Sequence, residues 1–416
     1  MRNIAFKVSL IFIFLIPWEG MVRLPWGTVA RLLGLATGGV WLATVVITGG
    51  MRKLTPFHLM VCLLVFWNAL SVFWSENPNR TFAHAKTWGQ LLLMVFILWD
   101  LYTTQAHLLA GLQAYILGAY VALGSAVYNY LTGNAYYTNY QRFSPGETNP
   151  DGFGFLIALG MPVAWYLASS NIGKAGHLWR FVNYAYIPTA FLGIALSGTR
   201  TALIGSLVGT AFGLATLNRL RLASRIAIFA FLTSVIFILL PYVETLESFQ
   251  RLGTTASELT SGDLNNRTNN WREGLASFEE HPLLGVGGNM YRSINSLAAD
   301  ASGKVGHNTY LSVLVELGLV GFALFGTILA IVFFQAWRQP GWQSWFWLTV
   351  LAVWGIGAFT LTWESRKSTW LFLGFIVISA ALARNPARET NILSSSPVEP
   401  GAVGSKEVLS GGGSLG

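Results

Sequence analysis

Apolar residues along this chain come in long unbroken runs, separated by short stretches rich in Gly, Pro, Asn, Arg and Trp. A run of about 20 residues is what an α-helix needs to cross a hydrocarbon core some 30 Å thick. Runs of this kind lie near 4–18, 26–48, 54–74, 84–101, 106–132, 152–170, 181–197, 201–217, 225–243, 308–336, 342–362 and 368–384. They predict an all-α polytopic membrane protein of about twelve transmembrane helices. The first run follows a basic start, Met1–Lys7, as a signal peptide would, but no small-residue cleavage site follows Pro17-Trp18-Glu19-Gly20. It is read as an uncleaved span.

Composition closes off other classes. With 53% hydrophobic and 11% charged residues, the chain lacks the solvated groups that cover a soluble globule, in which roughly 25% are charged. A soluble nucleotide-binding enzyme is excluded. The single cysteine, Cys62, lies inside an apolar run, which excludes an intrachain disulfide and a cysteine-based zinc site. The net charge of +8 would suggest nucleic acid in a soluble protein. Here Arg52, Lys53, Lys174, Arg180, Arg219, Arg221, Arg225, Arg338, Arg384 and Arg388 fall in loops on one side of an even number of spans. By the positive-inside rule that side, with both termini, is cytoplasmic. The tryptophans at run ends fit rings at the headgroup level of the membrane lipids.

This topology divides the chain into residues 1–243 with spans one to nine, a long outer segment 244–307, residues 308–384 with the last three spans, and a flexible cytoplasmic tail 385–416. The tail is rich in Ser, Gly and Pro, and its last residues have the composition of an added linker. Segments 133–151, 197–200 and 363–367 share the outer side with 244–307. Long segments between spans are uncommon unless they are functional or disordered, so chemistry is sought on this face. No repeat of solenoid length is present.

Outer loops normally carry few arginines, yet Arg142, Arg200, Arg251, Arg267, Arg272 and Arg292 are all on this side. They suggest an anion. Arg200 sits in Ser197-Gly198-Thr199-Arg200-Thr201, which joins two apolar runs with almost no loop. A guanidinium at that boundary must snorkel, pair or face a wet cavity, and a tight turn with hydroxyls can aim backbone N–H groups and Arg200 at one anion. Arg267 precedes Trp271 by one helical turn, so the two share a face at a helix start that would be capped by Asn or Thr and open to a diphosphate. His281, before Pro282, reads as a helix stop. His307 ends the outer segment and opens the next span, where an imidazole at the water boundary is the best general base in the chain. Glu316, deeper on that span, reads as a structural carboxylate. In 133–151, Arg142 and Glu147 are candidates for binding sugar or phosphate. No Asp-x-Asp pair, His-x-x-x-His or P-loop occurs, so neither a metal nor another cofactor is expected.

Taken together, Ser197–Gly205, Asn266–Tyr291 and Gly306–Gly321 resemble the O-antigen ligase and polymerase superfamily of bacterial multi-spanning glycosyltransferases, most nearly its lipopolysaccharide ligases. The resemblance covers roughly 150–325. It rests on Arg200 after a Ser-Gly pair, on Arg267 with Trp271 and His281-Pro282-Leu283-Leu284-Gly285-Val286-Gly287, and on His307-Asn308-Thr309-Tyr310-Leu311. The sequence departs from the pattern at Asn266, where the family often has Gly, which leaves Arg272 as the alternative to Arg267. The resemblance implies a GT-C-like membrane fold. It also implies transfer of a glycan from undecaprenyl diphosphate to a sugar hydroxyl of lipid A-core at the periplasmic face of the inner membrane. Arg200 and Arg267 would stabilise the leaving diphosphate and His307 would deprotonate the acceptor, in one inverting displacement. Trp271, Arg272, Asn308 and Tyr310, with Arg142 and Glu147, would bind substrate. An O-antigen polymerase or a protein O-oligosaccharyltransferase of the same superfamily are alternatives, as is, from another class, a secondary anion transporter.

Overall fold

The computed structural model describes residues 1–24, 27–137, 140–146, 148–170, 176–220, 222–253, 267–294 and 306–384. Nine helices come first: α1 (Arg2–Leu15), α2 (Val29–Thr48), α3 (Pro56–Leu70), α4 (Pro78–Leu101), α5 (Gln105–Leu131), α6 (Pro150–Ser169), α7 (His177–Ser197), α8 (Arg200–Ala215) and α9 (Leu222–Val243). Three helices of the outer segment follow, α10 (Glu247–Gly253), α11 (Arg267–Glu280) and α12 (Tyr291–Ile294). The chain then returns through α13 (Thr309–Trp337), α14 (Trp342–Ala358) and α15 (Lys367–Arg384). Each predicted apolar run is thus occupied by a helix. Seven of them, α2 to α6, α13 and α15, are long and apolar enough to cross a membrane among the described residues. Among the described residues the fold is all-α and multi-pass, apart from two short antiparallel hairpins, β1 (Arg23–Leu24) with β2 (Gly27–Thr28) and β3 (Tyr136–Tyr137) with β4 (Gln141–Arg142).

Local sequence sets where the helices start. Thr55, Asn77 and Asn149 each precede a proline at the first helical position, where its missing N–H costs nothing. Asn77 and Asn149 accept a first-turn N–H with their side chains, and Thr55 forms a capping box with His58. Gly49 and Gly198 end α2 and α7 in the left-handed conformation.

The most enclosed helix, α6, is buried against α5, α7, α8 and α14, while α15 packs on α4, α5 and α13. At one end of the bundle the fully buried Asp100 of α4 accepts from Arg2 at 2.8 Å, from the Trp41 indole at 3.0 Å and from the Arg52 backbone at 2.8 Å. The Arg52 guanidinium lies over the Trp99 ring, 3.6 Å from its centroid. Segments that the sequence assigns to one face therefore meet there. Those assigned to the other face meet at the opposite end.

One feature of α13 departs from the expected uninterrupted run. Its backbone breaks at Gly318, with φ 65° and ψ −169°, a region open essentially to glycine alone. A break inside a membrane span strands backbone groups that no water can satisfy. Residues 282–287 fold into the gap. The carbonyls of Val315 and Glu316 accept from Val286 at 3.0 Å and Gly287 at 2.9 Å, and that of Leu317 accepts from the Trp67 indole at 2.9 Å. In return the Leu319 N–H donates to the Pro282 carbonyl at 2.9 Å. A Cβ at Gly318 would meet the Leu283 carbonyl oxygen, so the turns of the insertion and the helix touch backbone to backbone. The helix stop expected at His281-Pro282 is present, and the chain after it completes another helix.

Candidate active site

A cavity of about 440 Å³ opens where the outer segments converge. Its walls come from the loop before α6 (Asn149), the end of the 244–307 segment (Asn289, Arg292, His307), the broken α13 (Ser312, Glu316) and the loop between α14 and α15 (Thr362, Glu364, Arg366). On the side of α2 and α4 the apolar Leu35, Leu93, Met94 and Ile97 line it together with Arg31, His84, Thr87 and Gln90. Polar and apolar groups thus share its wall.

The insertion beside Gly318 builds one wall. Asn289, with φ 61°, donates its N–H to Glu316 Oε2 at 2.7 Å, and Tyr291 donates to Glu316 Oε1 at 3.3 Å. The buried carboxyl of Glu316 therefore fixes the turn that presents Arg292, in keeping with the structural role read from the sequence.

His307 has φ 45°, a conformation that residues other than glycine seldom adopt, and its neighbours hold it there. The Trp271 indole donates to the Gly306 carbonyl at 2.8 Å, and Asn308 caps α13 by accepting the Leu311 N–H at 3.1 Å. The Thr309 hydroxyl donates to the Leu361 carbonyl at 2.7 Å and accepts the Trp363 N–H at 2.9 Å, tying the next loop to the same corner. Burial pushes the His307 imidazole down to about 4, helped by the cationic fields of Arg267 and Arg292 and opposed by Asp151. At neutral pH it is uncharged and able to accept a proton.

A lowered value keeps the neutral form to lower pH. Activity dependent on neutral His307 is expected to hold its kcat/KM from pH 8 down to about pH 5 and to fall only as pH approaches about 4. Arg267→Gln, by removing a cation that depresses the imidazole, is expected to move that acid limb upward. Initial rates across this range test both statements; a wild-type limb near 6.5, the unperturbed histidine value, would contradict them.

The cavity wall includes neither Arg200 nor Arg267. Arg267, first residue of α11, acts on His307 through its field, and Asp151 feels Arg142, Arg251 and Arg267 together. Arg200 donates from Nε to the Arg251 carbonyl at 3.1 Å, while Arg251 donates to the Gly198 carbonyl at 2.7 Å. This reciprocal clasp locks the Ser-Gly-Thr-Arg turn onto α10.

The other expected substrate contacts have protein partners here. Arg142 is buried and donates to the Ser197 carbonyl at 2.6 Å, Asp151 at 2.5 Å and the Thr199 hydroxyl at 3.2 Å, so it braces the turn from beneath. Trp271 and Asn308 position His307 as described. Tyr310 packs on Trp354 and Phe359, with ring centroids 6.4 and 5.0 Å away. Arg272 is exposed, beside Asn269 of its own helix at 3.4 Å. Glu147 and the expected cap of α11 before Arg267 lie outside the described residues. Sequence reasoning did not single out Glu364, although a lone acid in a short outer loop was a visible signal.

The Wzy_C family, described as O-antigen ligase, matches residues 185–326, a stretch that holds Arg200, Arg267, the Gly318 break and His307. The exopolysaccharide production protein ExoQ of Rhizobium meliloti (strain 1021) is 25% identical over 323 residues, covering 72% of this chain and 70% of that protein. The match over residues 185–326, in a chain of helical, multi-pass architecture, supports a likeness to the O-antigen ligase and polymerase superfamily of glycosyltransferase-like membrane proteins.

Proposed function

We propose that the protein transfers a glycan from undecaprenyl diphosphate to a sugar hydroxyl of lipid A-core, at the periplasmic face of a bacterial inner membrane. The observation that carries this reading is a neutral, conformationally constrained imidazole, His307, on the wall of a cavity that also presents Arg292, Arg366 and the apolar Leu35, Leu93, Met94 and Ile97. A lipid-linked donor must keep its tail among apolar groups and its anionic head at the boundary. The apolar side chains of α2 and α4 suit the first requirement, and Arg292 and Arg366 on the wall, with Arg267 acting on His307 through its field, suit the second.

In the step proposed, the acceptor oxygen attacks the anomeric carbon of the glycan as its bond to the diphosphate oxygen breaks. The bonding pair leaves on the diphosphate, where positioned cations stabilise the growing charge. The acceptor proton passes to the imidazole of His307. Attack opposite the leaving group inverts the anomeric centre, with no covalent enzyme intermediate. Bound diphosphate would also offset the cationic fields of Arg267 and Arg292, raising the basicity of His307 once the donor is in place. On this reading residues 244–307 are the periplasmic part of the active site, and both termini are cytoplasmic.

Similarity to an exopolysaccharide production protein over 72% of the chain favours a second reading. In it the acceptor is the growing lipid-linked glycan, and the product is a longer polymer. Purified protein in detergent, supplied with undecaprenyl-diphosphate-linked glycan and lipid A-core in the presence of a chelator, separates the two by gel mobility of the products. Glycan on lipid A-core establishes ligation, and longer lipid-linked glycan establishes polymerisation. An intact donor beside folded protein would defeat both and favour transport.

A further inference from the structure

Three side-chain oxygen atoms on one wall of the cavity have no hydrogen-bond partner: Glu364 Oε2, Ser312 Oγ and Thr362 Oγ1. Buried polar atoms are paired in the great majority of cases, and exceptions call for a ligand or a chemical role. Glu364 is 4% exposed and Ser312 is 0% exposed, so neither is satisfied by bulk solvent.

The Glu364 loop is not slack. The Glu364 carbonyl accepts from the Trp370 indole at 2.7 Å, and the Trp363 carbonyl accepts from the Thr369 hydroxyl at 2.8 Å and the Arg366 N–H at 3.1 Å. The Trp363 ring packs edge-on against Phe155 with centroids 4.4 Å apart. Through Thr309 the same loop is tied to the corner that holds His307. Ser312 is as close: a Cβ built on Gly306 would stand 3.0 Å from its hydroxyl. The unpaired groups are therefore pre-placed beside the proposed base rather than scattered.

Their chemistry selects a ligand. A buried carboxyl with a free oxygen, which burial raises to about 7, can both donate and accept near neutral pH and so suits a neutral polyol, whose hydroxyls do the same. The Lys367 ammonium, also on the wall, is already paired with Glu19. We infer that Glu364, Ser312 and Thr362 form the subsite that grips the acceptor sugar, Glu364 taking ring hydroxyls while Ser312 keeps the attacking hydroxyl beside His307. This rests on the glycosyl-transfer reading and adds a division of the cavity: cations for the donor head, the Glu364 wall for the acceptor ring.

The test uses the full-length protein in detergent and two lipid-free probes, core oligosaccharide released from lipopolysaccharide and a repeat-unit oligosaccharide matching the donor glycan. Titration calorimetry is run on wild type, Glu364→Gln, Ser312→Ala and His307→Asn. Wild type is expected to bind one of the probes, Glu364→Gln to weaken it at least tenfold, Ser312→Ala to weaken it severalfold, and His307→Asn to retain it. In transfer assays Glu364→Gln is expected to raise the acceptor KM by a similar factor while the donor KM stays within twofold. Ser312→Ala supplies the answer should Glu364→Gln not fold. Unchanged affinity in both variants, equal shifts in donor and acceptor KM, or no binding of either probe to wild type would overturn the subsite. Binding that depends on Glu364 without any transfer would instead leave a sugar site standing and remove the transferase reading.

Discussion

Replacing His307 is expected to lower the transfer rate by about 10²- to 10⁴-fold, the usual contribution of a positioned general base, while donor binding survives. The backbone at His307, with φ 45°, makes the choice of substitution matter. Alanine is strained in that region, whereas asparagine enters it more readily. His307→Asn therefore removes the imidazole while keeping the corner formed by Trp271, Gly306 and Thr309. Both variants should lose activity, and His307→Asn should keep the wild-type unfolding temperature by tryptophan fluorescence. Transfer within threefold of wild type in a folded His307→Asn protein would sink the assignment of the base.

The second large effect is expected at a residue without a side chain, two positions from Glu316 on α13. In Gly318→Ala the new methyl group meets the Leu283 carbonyl, on a backbone with φ 65° that alanine avoids. Either the 282–287 insertion is expelled or α13 straightens, and both leave backbone groups unpaired inside the membrane. A loss of about 4 kcal/mol or more is expected from strain and orphaned hydrogen bonds combined, with transfer abolished because Asn289 and Arg292 are carried by the insertion. Gly326 lies on the same helix with nothing within 4 Å of its Cβ position. Gly326→Ala should therefore be neutral or mildly stabilising, as alanine is in an ordinary helix. If thermal unfolding and activity do not separate the two variants, the break is not what holds the site together.

What could be read before the structure follows from which forces leave a mark in one dimension. Burial in lipid writes itself as runs of span length, and starts such as Thr55-Pro56 and Asn149-Pro150 are local, so every helix that fills an apolar run was foreseeable. His307 was legible because position alone, at the junction of a polar segment and a span, sets its environment. The break at Gly318 was not. Hydropathy records transfer into hydrocarbon and is indifferent to whether the backbone bonds to itself or to residues 282–287. Arg142 looked like an exposed cation on the outer face because its neutralisation by Asp151 and its bonds to Ser197 and Thr199 exist only after folding. Glu364 was passed over for the converse reason: its significance is an unpaired oxygen, and pairing is a property of three dimensions.

The dock for the insertion is distributed along the chain in a way that bears on biogenesis. Trp67 waits for the Leu317 carbonyl across 250 positions, Ser71 for the Gly288 N–H across 217, and Thr81 for the Gly288 carbonyl across 207. At synthesis rates of about 5–20 residues per second, α3 and α4 would stand for roughly ten to fifty seconds with polar groups turned toward a vacancy that only the late chain fills. The same polar groups that hold Leu317 and Gly288 in the mature protein thereby mark, in the nascent one, that the chain is not yet whole.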